Sequence, residues 1–263
     1  MQNSGNMRFE LRFTINKNER GTQLPINYQY ELSSWIYKVL NEGDPIFSEW
    51  LHFKGYKSKE KPFKLFTFSN LLIPSYRIIG DRINILSESV KLIISFLPDE
   101  AISPFITGLF KDRMAIIGDK TSQIVFEVSE IISVAKVVVK ETMILRTLSP
   151  IFVDEEDTVK GYPKHISPDA ENYSQLIHSN LVEKYRAFRN KEIDDKWPET
   201  KIRVIGMPKS KLLEIKTGTP QMTKIRAYNF IFEVTGSRDL IEIGYYGGFG
   251  RLGSQGFGCV EIQ

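Results

Sequence analysis

Tyr37 and His52 combine useful chemistry with positions off the apolar core. Over residues 28–40, Leu32, Trp35, Ile36, Val39 and Leu40 recur as one stripe at helical spacing. At about 100° per residue, Tyr37 lies roughly 140° from Leu32, beside Tyr30 and away from that stripe. Asp44-Pro45 reads as an N-cap followed by proline at the first helical position, opening a short helix through Leu51. Ile46, Phe47, Trp50 and Leu51 form its apolar face, and His52 falls nearly opposite the centre of that face. His52 also sits at a helix C-terminus, where the dipole favours the imidazolium. Directly after it come Lys54, Lys57, Lys59, Lys61 and Lys64, five lysines within eleven residues, opposed only by Glu60.

A tyrosine, a histidine and a lysine clear of the core are the groups needed for cleavage of RNA without a metal. The ribose 2′-hydroxyl is the nucleophile. The protein must supply a base for it, an acid for the departing 5′-oxygen and a cation for the charge that builds on the phosphate. Histidine titrates near neutrality and serves as acid or base. Lysine offers a point charge, and a tyrosine hydroxyl donates to or orients the reacting groups. Such a site acts on RNA and spares DNA, which lacks the nucleophile. Each residue also has a plainer role open to it: Tyr37 packed against a loop, and the lysine run as a solvated loop.

Other chemistries have little to be built from. Gly248-Phe249-Gly250-Arg251-Leu252-Gly253 spells GxGxxG, but the ten residues after Gly253 leave no room for the phosphate-binding helix or the ribose-binding acid of a dinucleotide site. What remains is a glycine loop between a short helix and a final strand. The single cysteine, Cys259, lies in that strand and reads as an apolar filler, and it excludes a disulfide or a multi-cysteine metal site. His165, in a loop, and His178, on the flank of a helix, read as structural or exposed. The acidic runs Asp154 to Asp157 and Glu192, Asp194, Asp195 read as solvated loops. No metal and no cofactor is implied.

The elements that position these residues follow from periodicity. Residues 8–15 alternate, with Phe9, Leu11, Phe13 and Ile15 on one side and Arg8, Glu10, Arg12 and Thr14 on the other, which marks a half-buried strand. After the two helices above, strands are expected over 64–69 and 76–86, a second main helix over 89–97, and strands between 113 and 139. The second half repeats the order: a strand over 142–153, a long helix capped by Ser167-Pro168, strands over 202–205, 212–216 and 224–234, a helix capped by Ser237, and the closing strand. This is the pattern of an α+β protein with two tandem ferredoxin-like, RRM-like domains, residues 1–140 and 141–263. The chain has 263 residues, is 41% hydrophobic and carries a net charge of only +3, so any nucleic-acid surface must concentrate its basic residues locally. The polar residues 1–6 and the lack of any apolar run of membrane-spanning length predict a cytoplasmic protein with neither signal peptide nor membrane span.

Pro25-Ile26-Asn27-Tyr28-Gln29-Tyr30, Ile36-Tyr37, Leu51-His52, Lys64-Leu65-Phe66-Thr67-Phe68-Ser69, Leu148-Ser149-Pro150, and Gly244-Tyr245 leading into the run from Gly248-Phe249-Gly250 to Gly256-Phe257-Gly258 are spread along nearly the whole chain. In them the sequence resembles the CRISPR-associated endoribonucleases that process precursor CRISPR RNA, members of the repeat-associated mysterious protein (RAMP) superfamily, whose hallmark is a glycine-rich C-terminal loop. The resemblance implies cleavage within each repeat, without metal, leaving a 5′-hydroxyl and a 2′,3′-cyclic phosphate. It makes His52 the general acid or base, Tyr37 its partner, and Lys64 the stabiliser of the transition state, with Lys57 and Lys61 as alternatives in the same loop. Lys54, Lys57, Lys59 and Lys61 are the expected RNA-binding set, joined by Gly250, Arg251, Gly253, Ser254 and Gly256, whose main-chain N–H groups would approach phosphates. CRISPR repeat RNA is the implied partner; a CRISPR effector complex and a homodimer stay open. The competing role is a non-catalytic RAMP subunit that binds guide RNA in an effector complex, and a protein-interaction module is a third.

Overall fold

The computed structural model describes residues 6–155, 163–215 and 222–263. Most of the polar lead 1–6, part of the acidic run 154–157, and Lys216 at the end of an expected strand therefore lie outside the described residues. In the first half the chain forms β1 (Met7–Asn16), α1 (Gln29–Gly43), α2 (Pro45–Phe53), β2 (Phe66–Phe68), β3 (Ser89–Phe96), α3 (Ile102–Lys111), β4 (Met114–Gly118) and β5 (Gln123–Val134). The sheet order is β2-β3-β1-β5-β4, with every pair antiparallel. Without β4, that is the ferredoxin-like arrangement, in which the first strand sits between the third and the last.

The stretch 89–97 is therefore a strand, which corrects the helix expected there. Its sequence SVKLIISF is buried on both faces towards its C-terminal end, so the apolar run has no period of two to read. It pairs with β1 along its whole length, from Met7 opposite Phe96 to Thr14 opposite Ser89. The second main helix is α3, whose Pro104 falls within the first turn, where a missing N–H costs nothing.

The second half forms β6 (Thr142–Thr147), α4 (Tyr173–Arg189), β7 (Lys201–Ile215), β8 (Thr223–Thr235), α5 (Arg238–Gly247) and β9 (Val260–Ile262), in the order β7-β8-β6-β9. This is a second ferredoxin-like unit. Ser237 is the N-cap of α5 as expected. The cap of α4 is Asn172, whereas Ser167 sits in a turn five residues earlier; the apolar stripe begins only at Tyr173. The strands expected over 202–205 and 212–216 form one continuous β7, with a register shift between Ile205 and Lys209.

One residue of the polar side of β1 is buried. Arg8 is only 4% exposed. Its guanidinium donates to the carbonyls of Val260 and Tyr245, each at 2.7 Å, and lies over the Tyr245 ring. The second unit covers this end of the outer sheet face, so Arg8 ties the two units together where the strand pattern alone implies solvent. On the loop side of the same junction, Thr67 of β2 donates to the Phe257 carbonyl at 2.8 Å.

Candidate active site

Asp44 caps α2 through its carboxylate, which accepts from the Phe47 N–H at 2.9 Å, and Ser48 donates to the Tyr37 carbonyl at 3.3 Å. These two bonds fix α2 against α1. Only Ser48 and Leu51 of α2 are buried, and Ile46, expected on the inner face, is 82% exposed. The helix is short and touches α1 along one edge, so the buried arc is narrower than the apolar one. His52 is exposed at its end.

The outcome is that Tyr37, His52 and Lys64 come together. The Tyr37 and His52 rings meet edge to face, with centroids 5.1 Å apart. The Lys64 ammonium donates to the His52 carbonyl at 2.6 Å. Partial burial lowers the Lys64 pKa from its ordinary value. Tyr37 is half-buried, and burial pushes its phenol up to about 12, with a hydrogen bond to the Ser254 side chain working the other way. The phenol thus stays protonated at neutral pH, suited to donating and orienting rather than to taking a proton.

The other lysines divide. Lys54, Lys57 and Lys59 are exposed. Tyr56–Ser58 and Lys61–Phe63 pair as a short hairpin, and Lys61 is held by an ion pair with Glu183 of α4. Of the lysines in the run, Lys64 is the one in hydrogen-bond contact with His52.

Across from them lies the glycine-rich loop, and here the expected picture needs correction. Gly250 and Gly256 are buried. A Cβ at Gly250 would lie 2.4 Å from the Phe152 carbonyl oxygen, and one at Gly256 would lie 2.7 Å from the Phe68 ring. Both have positive φ, 74° and 85°, so close packing and backbone conformation alike require glycine. They face protein rather than an open surface. Arg251, Gly253, Ser254 and Gln255 remain half-buried, lining a cleft of about 320 Å³ with Lys61 and Lys64. Arg251 is paired with Asp154, whose side chain is almost wholly covered. That acid is therefore a buried partner, in contrast to the solvated loop expected there.

What holds the loop in place is Lys184, which the sequence pattern did not single out. This fully buried residue of α4 donates to the Gly248 carbonyl at 2.6 Å and the Gly250 carbonyl at 2.7 Å, with the Gly247 carbonyl at 3.5 Å. Burial, with Lys61 nearby, pushes its pKa down to about 7, and Glu183 opposes that shift. Its partners are main-chain atoms, so they leave no side-chain signature. The available signal was a lysine three residues beyond Leu181 and seven beyond Ile177, on the apolar stripe. From Lys184 the contacts continue through the loop: the Ser254 carbonyl accepts from Ser33 of α1 at 2.7 Å, and the Ser254 side chain meets Tyr37.

The remaining histidines are structural. His178 Nδ1 accepts from the Thr200 N–H at 3.0 Å, and His165 Nδ1 from the Arg226 N–H at 3.1 Å. Cys259 is buried, which pushes its thiol up to about 11, in keeping with a filler role. Among the described residues no three His, Cys, Asp or Glu side chains gather as metal ligands, and no helix is long and apolar enough to cross a membrane.

Two ferredoxin-like units, joined by a glycine-rich loop beside a tyrosine, a histidine and a lysine, define a tandem RAMP-type protein. The chain belongs to the Cas6 family: residues 23–131 match the model for CRISPR-associated protein Cas6, N-terminal, and residues 134–262 that for CRISPR associated protein Cas6, C-terminal. It is 30% identical over 260 residues to the CRISPR-associated endoribonuclease Cas6 1 of Methanocaldococcus jannaschii, covering 97% of this chain and 92% of that one. A solved structure of a Cas6-related gene product from Pyrococcus furiosus superposes with a TM-score of 0.81 at 27% identity, covering 98% of this chain and 99% of its own. Another, described as a RAMP protein binding different RNA substrates, gives 0.79 at 25% identity with the same coverage.

Proposed function

We propose that this chain is an endoribonuclease that cuts precursor CRISPR RNA within its repeats, by attack of a ribose 2′-hydroxyl on the adjacent phosphate and without a metal ion. The products are a 5′-hydroxyl and a 2′,3′-cyclic phosphate. One observation carries the reading: an exposed histidine whose ring abuts a tyrosine and whose main chain is held by a lysine, at the edge of a cation-lined cleft. His52 moves the proton, as general base for the 2′-hydroxyl or general acid for the departing 5′-oxygen. Lys64 offers its charge to the phosphate oxygens as they gain negative charge. Tyr37, with a phenol that stays protonated, orients the His52 ring and links it to Ser254. Lys54, Lys57 and Lys59 supply exposed cations for the RNA backbone, and binding weakens as salt rises. Residues 1–140 hold the catalytic groups and residues 141–263 the loop that braces them.

The direct test incubates the purified protein with repeat RNA in EDTA. Cleavage at one position per repeat is expected. Tight binding with the RNA left intact would favour the non-catalytic RAMP subunit instead. A second expectation concerns Tyr37→Phe. It keeps the ring against His52 and loses one hydrogen bond of about 0.5–1.5 kcal/mol, so the single-turnover rate should fall only about 2- to 10-fold. Because the phenol titrates near 12, Tyr37 should add no alkaline limb to the pH–rate profile below about pH 11. A loss as large as that of His52→Ala would make the phenol itself a proton donor or acceptor in the reaction.

A further inference from the structure

Phe53 follows His52 at the end of α2 and is 73% exposed. Its ring meets the His52 ring edge to face, with centroids 5.0 Å apart and planes at 85°. The His52 ring also meets Tyr37, at 5.1 Å and 88°. His52 therefore touches two rings, the half-buried Tyr37 and the solvent-exposed Phe53. The exposed Lys54 is next in the chain, and Lys57 and Lys59 follow on the hairpin.

Packing does not explain this ring. Burying a large aromatic side chain is strongly favourable, and here most of that gain is forgone beside the proposed catalytic residue. A nucleobase is a flat π-system that stacks on aromatic side chains whatever its identity, whereas a base inside a duplex has no free face to offer. A phosphate within reach of His52 and Lys64 places the flanking nucleotide over the end of α2, with lysines for the next phosphates.

We infer that Phe53 is a positioning residue on which an unpaired nucleobase flanking the scissile phosphate stacks, so that the ring sets the register of cutting. This rests on the proposed endoribonuclease reading and adds to it the residue that fixes the cut position. Stacking of one base is worth about 5- to 150-fold in affinity. Its loss falls mainly on KM and on the accuracy of the cut position, and less on kcat at saturating RNA.

The test uses the full chain and repeat RNAs carrying 2-aminopurine at each position in turn. With wild type, the fluorescence of one probe should be quenched on binding. Phe53→Ala and Phe53→Leu should relieve that quenching, raise KM by about 5-fold or more and scatter the cut sites, while Phe53→Trp restores all three. Leucine keeps apolar bulk and removes only the π face. If Phe53→Ala quenches, binds and cuts like wild type, the inference is overturned. It is equally overturned if the variant changes only the oligomeric state, which would assign Phe53 and the exposed Ile46 to contact between copies of this chain. Quenching at one position that depends on Phe53, in a wild-type protein that binds RNA without cutting it, would uphold the stacking and refute the nuclease reading alone.

Discussion

His52→Ala is expected to lower the single-turnover cleavage of repeat RNA by about 10²- to 10⁴-fold, the range for loss of a positioned general acid or base. RNA affinity should be unchanged. The substitution sits at an exposed helix end, where changes stay within about ±0.5 kcal/mol of stability. Lys64 holds the carbonyl of residue 52, not its side chain, so alanine leaves the lysine where it was. Tyr37 keeps its own anchor through Ser254. Measured side by side, cleavage of native RNA and binding of a non-cleavable copy separate catalysis from recognition. Equal loss of both would make His52 a binding residue, and undiminished cleavage would remove it from the mechanism.

The largest effect on the folded state is expected from Lys184→Met. Methionine matches the length and relieves the burial of an ionisable group, but it strands the carbonyls of Gly248 and Gly250 inside the protein. At about 1–3 kcal/mol for each unsatisfied buried acceptor, the net loss should be roughly 2–4 kcal/mol in denaturant unfolding. The pH dependence carries a sign that can be checked. In the fold Lys184 titrates near 7, whereas in the unfolded chain it titrates near its ordinary value of 10.5. Between those values the unfolded chain holds a proton that the fold has released. The burial penalty is therefore full below pH 7, shrinks as pH rises, and is gone above about 10.5. Wild type should gain stability relative to Lys184→Met between pH 6.5 and 9. A flat difference would mean that the carbonyls keep the ammonium charged throughout.

How far the sequence carried the site depended on whether a residue's partners were local. His52 could be placed off the core because a helix wheel is set by spacing alone, whereas Tyr37 lies at the core's margin, its ring 5.7 Å from that of the buried Phe66; their meeting follows from the cap at Asp44 that fixes α2 on α1. The tandem ferredoxin-like order was legible from strand and helix periodicity at most positions. It failed over residues 76–96: the strand expected over 76–86 is a hairpin of Tyr76–Ile79 and Arg82–Ile85 outside the main sheet, and the strand that takes its place, Ser89–Phe96, is covered on both faces and loses its alternation. Arg8 and Lys184 were invisible for a related reason. Both are cations placed where pattern predicts solvent or core, and both are satisfied by carbonyls distant in sequence. The glycine loop was recognised by its letters and misplaced in its role: Gly250 and Gly256 are the tight packing of a strut, and the open part of the loop is 251–255.

That strut links the second unit to the first. Lys184 fixes the loop, the loop sets Ser254 against Tyr37, and Tyr37 braces His52. Through this series a lysine in the second unit reaches a histidine in the first. Lys184→Met should therefore slow cleavage in whatever fraction remains folded.

In the proposed reaction the RNA supplies its own nucleophile and the protein only moves the proton and steadies the charge. This is tested most directly with two repeat RNAs in EDTA, one native and one carrying a single 2′-deoxy nucleotide at the mapped cut. The native RNA should yield a 5′-hydroxyl and a 2′,3′-cyclic phosphate, while the deoxy RNA is bound equally well and left whole. Cleavage of the deoxy RNA, or products bearing a 5′-phosphate, would contradict this mechanism.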